Sequence, residues 1–454
     1  MASTPQVLSP ILPGSIDAGA AEIGAVLLAQ GHQALLAGGC VRDLLLGREP
    51  KDWDLVTDST SEQVSGLFPR TIDAGGERFG ILRVLHEDRA YEVARLRREG
   101  DYTDGRHPDT IQFTHDPRQD ASRRDFTVNG LLLDLGSQEL IDVVGGQRDL
   151  LDGVIRAIGD PTRRFGEDHL RLLRAVRFAA RFQFRIEPET WQAILGGAEH
   201  IRSISAERIR DELNLILTEH GAAPGFQMLL DSGLLHSILP EVAALDGVQQ
   251  PPEHHPEGDV WTHVGLMLAE VDRLSEPDLA VAWGVLLHDI GKPGTLTISD
   301  RIRFHGHDVL GAQMADQVAR RLRMSNDMRR RIVELTRHHM RFRNTPQMRT
   351  GKLNRFLREP YFHQLLELHR LDCIGCHGKL DLYDFCRQRV DEMVSQTQEM
   401  VPRLIDGDDL IALGYEPGPH FARILAWVED EHDDGRIVDK ASAEEAVSRQ
   451  FPRS

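Results

Sequence analysis

Cysteine is scarce in this sequence: Cys40, Cys373, Cys376 and Cys386 are the only four in 454 residues. That is too few for a disulfide scaffold at this size, and it fits a reducing, cytoplasmic setting. Long apolar runs are missing too. The longest, LAVAWGVLL (279–287), is far too short to span a bilayer, so no membrane association is expected. The opening MASTPQVLSPILPGS has neither a charged n-region nor an apolar h-region, and no signal peptide is expected. Low-complexity tracts and internal repeats are likewise lacking. A chain of 454 residues is too long for one ordinary core, so the composition points to a soluble globular protein of several domains.

Net positive charge is also lacking. The formal charge is −18, which argues against a nonspecific nucleic-acid coat. The distribution is uneven, however. Residues 301–358 hold fifteen Lys or Arg against four acids, and residues 163–181 hold six Arg against two acids. Acid gathers near the end, in EDEHDD (429–434). A globally acidic chain can still offer a basic face to RNA, although arginine-rich stretches are often only solvated helix faces.

Along the chain, residues 16–31 read as an amphipathic helix ending at Gly31. HQALLAGG (32–39) reads as a strand running into a glycine turn, VRDLLLG as a helix, and WDLVT (53–57) as a strand. GILRVLHEDRAYEVARLR (80–97) alternates like a hairpin with HEDR as its turn. After Arg156 the period becomes helical, as in DHLRLLRAVRFAARF (168–182) and SAERIRDELNLILTE (205–219), with Ser205 as an N-cap. From there to about residue 400 almost no strands are expected. Boundaries fall near PPEHHPEG (251–258) and near residue 402.

Two groups of residues carry chemistry. In the first, Gly38 and Gly39 permit close backbone approach before a helix. Asp52 and Asp54 share one face of a strand, and hard carboxylate pairs suit Mg²⁺ and substrate phosphates. Glu92, on a neighbouring strand, supplies a third carboxylate, and RRDFTVNG (123–130) adds arginines whose planar forks match phosphate oxygens. A glycine pair or an Asp-X-Asp alone is more often structural. The ordered series GGCVRD, KDWDL, YEV, DGRHP and RRDFTVN resembles the class II tRNA nucleotidyltransferase and bacterial poly(A) polymerase family. The resemblance continues through GDPTRRFGEDHLRLLRAVRFAARF and SAERIRDELNLIL, and covers roughly residues 30 to 240.

The resemblance implies roles for particular residues. Asp52, Asp54 and Glu92 would be the catalytic carboxylates, with Asp52 and Asp54 as Mg²⁺ ligands. Gly38, Gly39 and Arg42 would form the triphosphate loop, while Arg123, Arg124, Asp125 and Asn129 would hold triphosphate and sugar. Glu167, Asp168 and Arg171, with Arg174 beside them, would bind and read the base. The family commonly has Ala where this chain has Gly130. Glu167, Asp168 and Arg171 are three or four apart and can share a helix face. A carboxylate acceptor with a guanidinium donor matches the amino group and ring nitrogen of cytosine and adenine, and rejects uracil and guanine. CTP, ATP and the 3′ end of tRNA would then be the partners. DGRHP (104–108) lies where the family has a loop implicated in switching from C to A addition.

The second group is VWTHVGL, LLHDIGKP, FHGHD, TRHHM and LHRLD, within residues 260–372. His263, His288, Asp289 and Asp372 make four candidate ligands for one ion, and His307 and His338 two for a second. HDIGK resembles the HD phosphohydrolase superfamily, whose members hydrolyse phosphoesters with metal-activated water. Such domains follow the head in some tRNA nucleotidyltransferases and are associated there with phosphatase and 2′,3′-cyclic phosphodiesterase activity. A divalent transition metal of unspecified identity is implied. CIGCH (373–377) matches a haem-attachment pattern, but with no export signal no haem is expected, and the cysteines read as a structural pair. GDDLIALGYEPGPHFARIL (407–425) looks like a tail segment found in many bacterial members of the family.

The expected fold is therefore an α/β nucleotidyltransferase head with a small mixed sheet, then an all-α neck and body, then an all-α HD domain. The boundaries are 1–155, 156–250 and 251–401, with a tail over 402–454. The leading reading is template-independent CCA addition. Poly(A), CC-only or A-only addition stay open, as does a phosphohydrolase whose head merely binds RNA.

Overall fold

The computed structural model describes residues 8–74, 79–100, 110–253, 255–397 and 404–452. DGRHP (104–108) lies outside them. Two compact units form, Met1–Ala243 and Ala244–Ser454. The division falls seven residues before the boundary expected at 251, and head and neck share the first unit.

The first unit is built on a seven-stranded mixed sheet. Its strands are β1 (Leu35–Ala37), β2 (Asp54–Thr57), β3 (Thr71–Asp73), β4 (Ile81–His86), β5 (Arg89–Arg95), β8 (Leu132–Asp134) and β9 (Leu140–Ile141), with β6 (Arg97–Glu99) and β7 (Ile111–Phe113) forming a separate pair. The sheet order is β3-β4-β5-β2-β1-β8-β9. β2 and β5 run parallel, and the other neighbours in this sheet are antiparallel. The interior strand β1 is wholly apolar and wholly buried, which places it in the core of the unit. The hairpin of β4 and β5 turns at Glu87 and Asp88, with Glu87 at φ 50°.

Asp54 opens β2, while Asp52 precedes the strand rather than lying in it. The expected alternation survives all the same: Asp52 is exposed, Trp53 buried and Asp54 half-buried. The helix expected over 168–182 runs over Leu170–Phe182, and a separate helix precedes it. That helix, Pro161–Glu167, ends at Asp168, whose φ of −146° and ψ of 107° break the spiral. Gly130 packs so tightly that a Cβ would stand 2.7 Å from Val144 Cγ2, so the alanine common in the resembling family would need that valine to move.

Among its described residues the second unit is helical, with one exception that the sequence did not announce. Leu296–Ile298 and Ile302–Phe304 form a small antiparallel hairpin. Its core includes the fully buried Trp283, Phe342 and Phe356. The tail has its own cluster of Leu410, Ile424, Val428, Ile437 and Val447. Acids of the tail meet arginines of the basic stretch: Arg355 Nη1 lies 2.6 Å from Asp430, and Arg358 Nη1 3.1 Å from Asp433. Two of the fifteen basic residues of that stretch are therefore paired with tail acids.

Candidate functional site

In the first unit, β1 ends at Gly38 and the helix Gly39–Leu45 follows. Gly38 adopts φ 68°, and a Cβ there would come within 2.8 Å of Arg124 Nη1. The backbone angle requires glycine, and the arginine end lies close over it. On the neighbouring parallel strands Asp54 and Glu92 are register partners, so the sheet itself sets the two carboxylates side by side. The Asp54 carboxyl is pushed up to about 6, first by burial, then by Glu92, with Asp52 adding to the repulsion and Arg124 opposing it.

Arg123 and Arg124 are both oriented by Asp120, a fully buried carboxylate that the sequence reading did not single out. Asp125 accepts from the Phe126 amide (2.8 Å) and Asn129 Nδ2 (3.0 Å), and its other oxygen accepts from Arg174 Nε (2.8 Å). Those bonds and Arg174 hold the Asp125 carboxyl below its ordinary range although burial opposes them. Asn129 Oδ1 in turn accepts from Arg42 Nη1 at 2.7 Å.

Arg42 therefore differs from expectation. It is buried, bonds Asp43 through Nε at 2.8 Å, and lies over the Phe182 and Phe178 rings. It ties the glycine-turn helix to the helix Leu170–Phe182 rather than lying open to a phosphate.

The base-reading group also departs from the expected face. Glu167 Oε2 accepts from Arg171 Nη1 at 2.6 Å and from Arg164 Nη1 at 3.1 Å. Asp168, beyond the helix break, is gripped instead by Arg208, with Nη2 2.7 Å and Nη1 3.3 Å from its two oxygens. Arg208 lies 40 residues further along, and nothing local in the sequence announces the pairing.

In the second unit, His263, His288 and Asp289 come together, and Asp289 is shared with a second group of His307 and His339. The second histidine of this latter group is a correction. His338 closes the helix Asn326–His338 and pairs with Glu334 at 3.1 Å, whereas His339 is buried with Nε2 3.2 Å from His307 Nε2. Neighbouring residues on a helix point about 100° apart, so only one of the two can face the centre.

Three histidines are pre-set in the same way. Nδ1 of His288, His307 and His339 each lies 2.7–2.9 Å from the carbonyl three residues earlier, on Val285, Phe304 and Thr336. A proton held there leaves each Nε2 as a lone pair for a metal. Burial first, then the neighbouring His288, push His339 down to about 4. Asp289 stands 3.1 Å from His288 Nε2 and 2.6 Å from Lys292 Nζ, and these two partners hold it well below its ordinary range despite burial. Lys292, quoted within HDIGK but given no role from sequence, also donates to Gln250 at 2.6 Å.

Asp372 lies 3.1 Å from His263 Nε2, and Glu257 2.9 Å from His263 Nδ1. Burial would depress His263, but these two carboxylates outweigh it and hold it up at about 9. Both His263 nitrogens are buried with no aligned hydrogen bond. A metal ion bound there would displace the Nε2 proton and take the lone pair that it leaves.

Three family models match this chain. Residues 34–156 match the poly A polymerase head domain, residues 183–245 the probable RNA and SrmB-binding site of polymerase A, and residues 260–372 the HD domain. The CCA-adding enzyme of Lactobacillus helveticus is 41% identical over 208 residues, which are 46% of this chain and 52% of that protein. That of Geobacillus stearothermophilus is 39% identical over 213 residues, 47% of this chain and 52% of that protein. The matched region thus spans about half the length of these curated relatives. A crystal structure of the Bacillus stearothermophilus CCA-adding enzyme in complex with CTP superposes with a TM-score of 0.70 at 24% identity, covering 97% of this chain and 98% of that one. The fold is that of the CCA-adding enzymes. A Thermotoga maritima CCA-adding enzyme complexed with tRNA agrees at a TM-score of 0.60 and 19% identity, over 98% and 97% of the two chains. In this fold Asp54 and Glu92 fall within the head-domain match, and the HD match ends on Asp372. Among the described residues no helix is long and apolar enough to cross a membrane.

Proposed function

We propose that this chain adds C and A nucleotides from CTP and ATP to the 3′ end of tRNA without a nucleic-acid template. One observation carries the reading: the register pairing of Asp54 with Glu92, with Asp52 just before the strand. Relatives named CCA-adding enzymes support it. Asp52, Asp54 and Glu92 would hold Mg²⁺, which when bound lowers the pKa of the attacking hydroxyl and neutralises charge on the leaving pyrophosphate. The donor set fits, because a divalent ion relieves the mutual repulsion that raises Asp54.

The remaining work falls to side chains. The Gly38 turn lets the triphosphate approach the backbone. Arg123 and Arg124, aimed by Asp120, take up phosphate oxygens. Asp168 accepts from the exocyclic amino group of cytosine or adenine, and Arg171, steadied by Glu167, donates to the adjacent ring nitrogen. Arg208 fixes the Asp168 carboxylate. The bond from the RNA 3′-oxygen to the α-phosphorus forms as the bond to the pyrophosphate oxygen breaks. A tRNA substrate and the scarcity of cysteine suit a cytoplasmic setting.

A second activity belongs to the second unit. The convergent Nε2 atoms of His288, His307 and His339 around Asp289 support metal-dependent hydrolysis of phosphoesters, including 2′,3′-cyclic phosphates.

The test is primer extension on tRNA transcripts ending before CCA, after C and after CC, with CTP, ATP or both. Growth by three nucleotides that then stops is expected. Addition of A only to the CC-ended transcript, or long A tails on unrelated RNA, would replace the reading with its A-only or poly(A) alternative.

A further inference from the structure

A third donor cluster adjoins the histidine–aspartate centre and has no part in the activities above. His255, Glu257 and Cys376 each offer a ligand atom, all within 4.8 Å of one another. His255 Nδ1 lies 2.9 Å from Glu257 Oε1 and 3.7 Å from Cys376 Sγ. Around a tetrahedral ion with bonds of about 2.0–2.3 Å, ligand atoms stand roughly 3.3–3.8 Å apart. The histidine–sulfur spacing therefore already suits an ion.

The cluster is built by the fold rather than gathered on a surface. His255 and Glu257 lie in the segment just before the helix Val260–Val271, and Cys376 ends the helix Phe362–Gly375. Gly375 allows the two helices to meet, since a Cβ there would stand 2.8 Å from Met267 Cγ. Glu257 is the telling member. Its side chain is only 6% exposed, and its Oε2 is buried without a hydrogen-bond partner. The Cys376 thiol, a weak donor, bears on the same carboxylate. A buried carboxylate oxygen left in this state is costly unless something else takes it up.

We propose that His255, Glu257 and Cys376 bind a further cation of the Zn²⁺ class. Nitrogen, oxygen and thiolate donors together suit a borderline transition ion rather than Mg²⁺. On binding, the Cys376 S–H bond breaks, its proton passes to solvent, and the sulfur electron pair goes to the ion. Three protein ligands leave the fourth tetrahedral position to water. Glu257 joins this site to its neighbour, because its Oε1 stands 2.9 Å from His263 Nδ1 while Oε2 is left for the ion. Loading the site would thus fix the orientation of His263.

The test uses the full-length protein, stripped with a chelator and titrated with Co²⁺. The readout is the near-ultraviolet sulfur-to-cobalt charge-transfer band, which no thiol-free site produces and which needs no enzymatic activity. The band is expected in the unaltered protein, absent in Cys376→Ser, and retained in Cys373→Ser, because the Cys373 sulfur faces His369 at 3.7 Å instead. His255→Ala should weaken the Co²⁺ response about 10-fold or more. Far-ultraviolet circular dichroism and a thermal melt measured alongside check that each variant is folded. Absence of the band from the unaltered protein, its persistence in Cys376→Ser, or its loss in Cys373→Ser would each overturn the proposal.

Discussion

Asp54 in the sheet unit and Asp289 in the helical unit are both largely enclosed carboxylates beside proposed metal positions, yet their surroundings drive them in opposite directions. Asp54 is raised to about 6 because burial and the carboxylates of Glu92 and Asp52 outweigh Arg124. Asp289 is held low because Lys292 and His288 outweigh burial. The first centre is an acceptor set whose charge awaits a cation from outside. The second carries its own compensating cation, Lys292, 2.6 Å from the Asp289 carboxylate. The difference suits their proposed work: Mg²⁺ arriving with a triphosphate at one, a resident ion at the other.

The contrast can be broken at several points. The largest effect is expected from Asp289→Ala, which strands Lys292 in a buried site and should cost about 3–5 kcal/mol by chemical denaturation. Loss within experimental error would mean the pairing is not balanced as described. Asp54→Asn should do the reverse, stabilising the metal-free protein near pH 7 by about 1–3 kcal/mol while abolishing nucleotide addition. The sign follows from linkage. Between pH 4 and 6 the unfolded chain has released the Asp54 proton and the folded chain keeps it, so this group's contribution to stability falls as pH rises through that window. The Asn variant should lose that fall, as read from melting temperature against pH with chelator present.

Arg208→Ala should raise KM for CTP and ATP about 3–10-fold with a smaller change in kcat, on the scale of one charged hydrogen bond. An unchanged KM would exclude Arg208 from positioning Asp168. The smallest effect is expected at His338. His338→Ala should stay within about 0.5 kcal/mol and keep phosphoester hydrolysis, whereas His339→Ala removes it.

The sequence made the two centres legible to different degrees, for physical reasons. Period-two alternation around the buried Trp53 was enough to set Asp52 and Asp54 on one side, and the strand pattern of AYEVARL brought Glu92 into the set. The glycine turn and the helices on either side of it were equally readable. Three features were not. The helical pattern read over 168–182 does not reveal that Asp168 leaves the helix, because the break rests on the backbone of one residue. Two adjacent histidines cannot be ranked by pattern when the helix ends between them, and burial alone chose His339. Arg208 acts through tertiary pairing, which has no local signature, whereas Asp120 stands three and four residues before Arg123 and Arg124, a helical spacing the sequence does display. The hairpin at 296–304 did alternate in LTI and IRF, but its strands are three residues each and were submerged in helical surroundings.

The most direct measurement assays Asp54→Asn and His339→Ala each for both activities: tRNA extension with CTP and ATP, and hydrolysis of a 2′,3′-cyclic nucleotide. Two independent centres predict that Asp54→Asn loses extension and keeps hydrolysis, and that His339→Ala does the opposite. Loss of both activities from either single substitution in a folded protein would contradict the account.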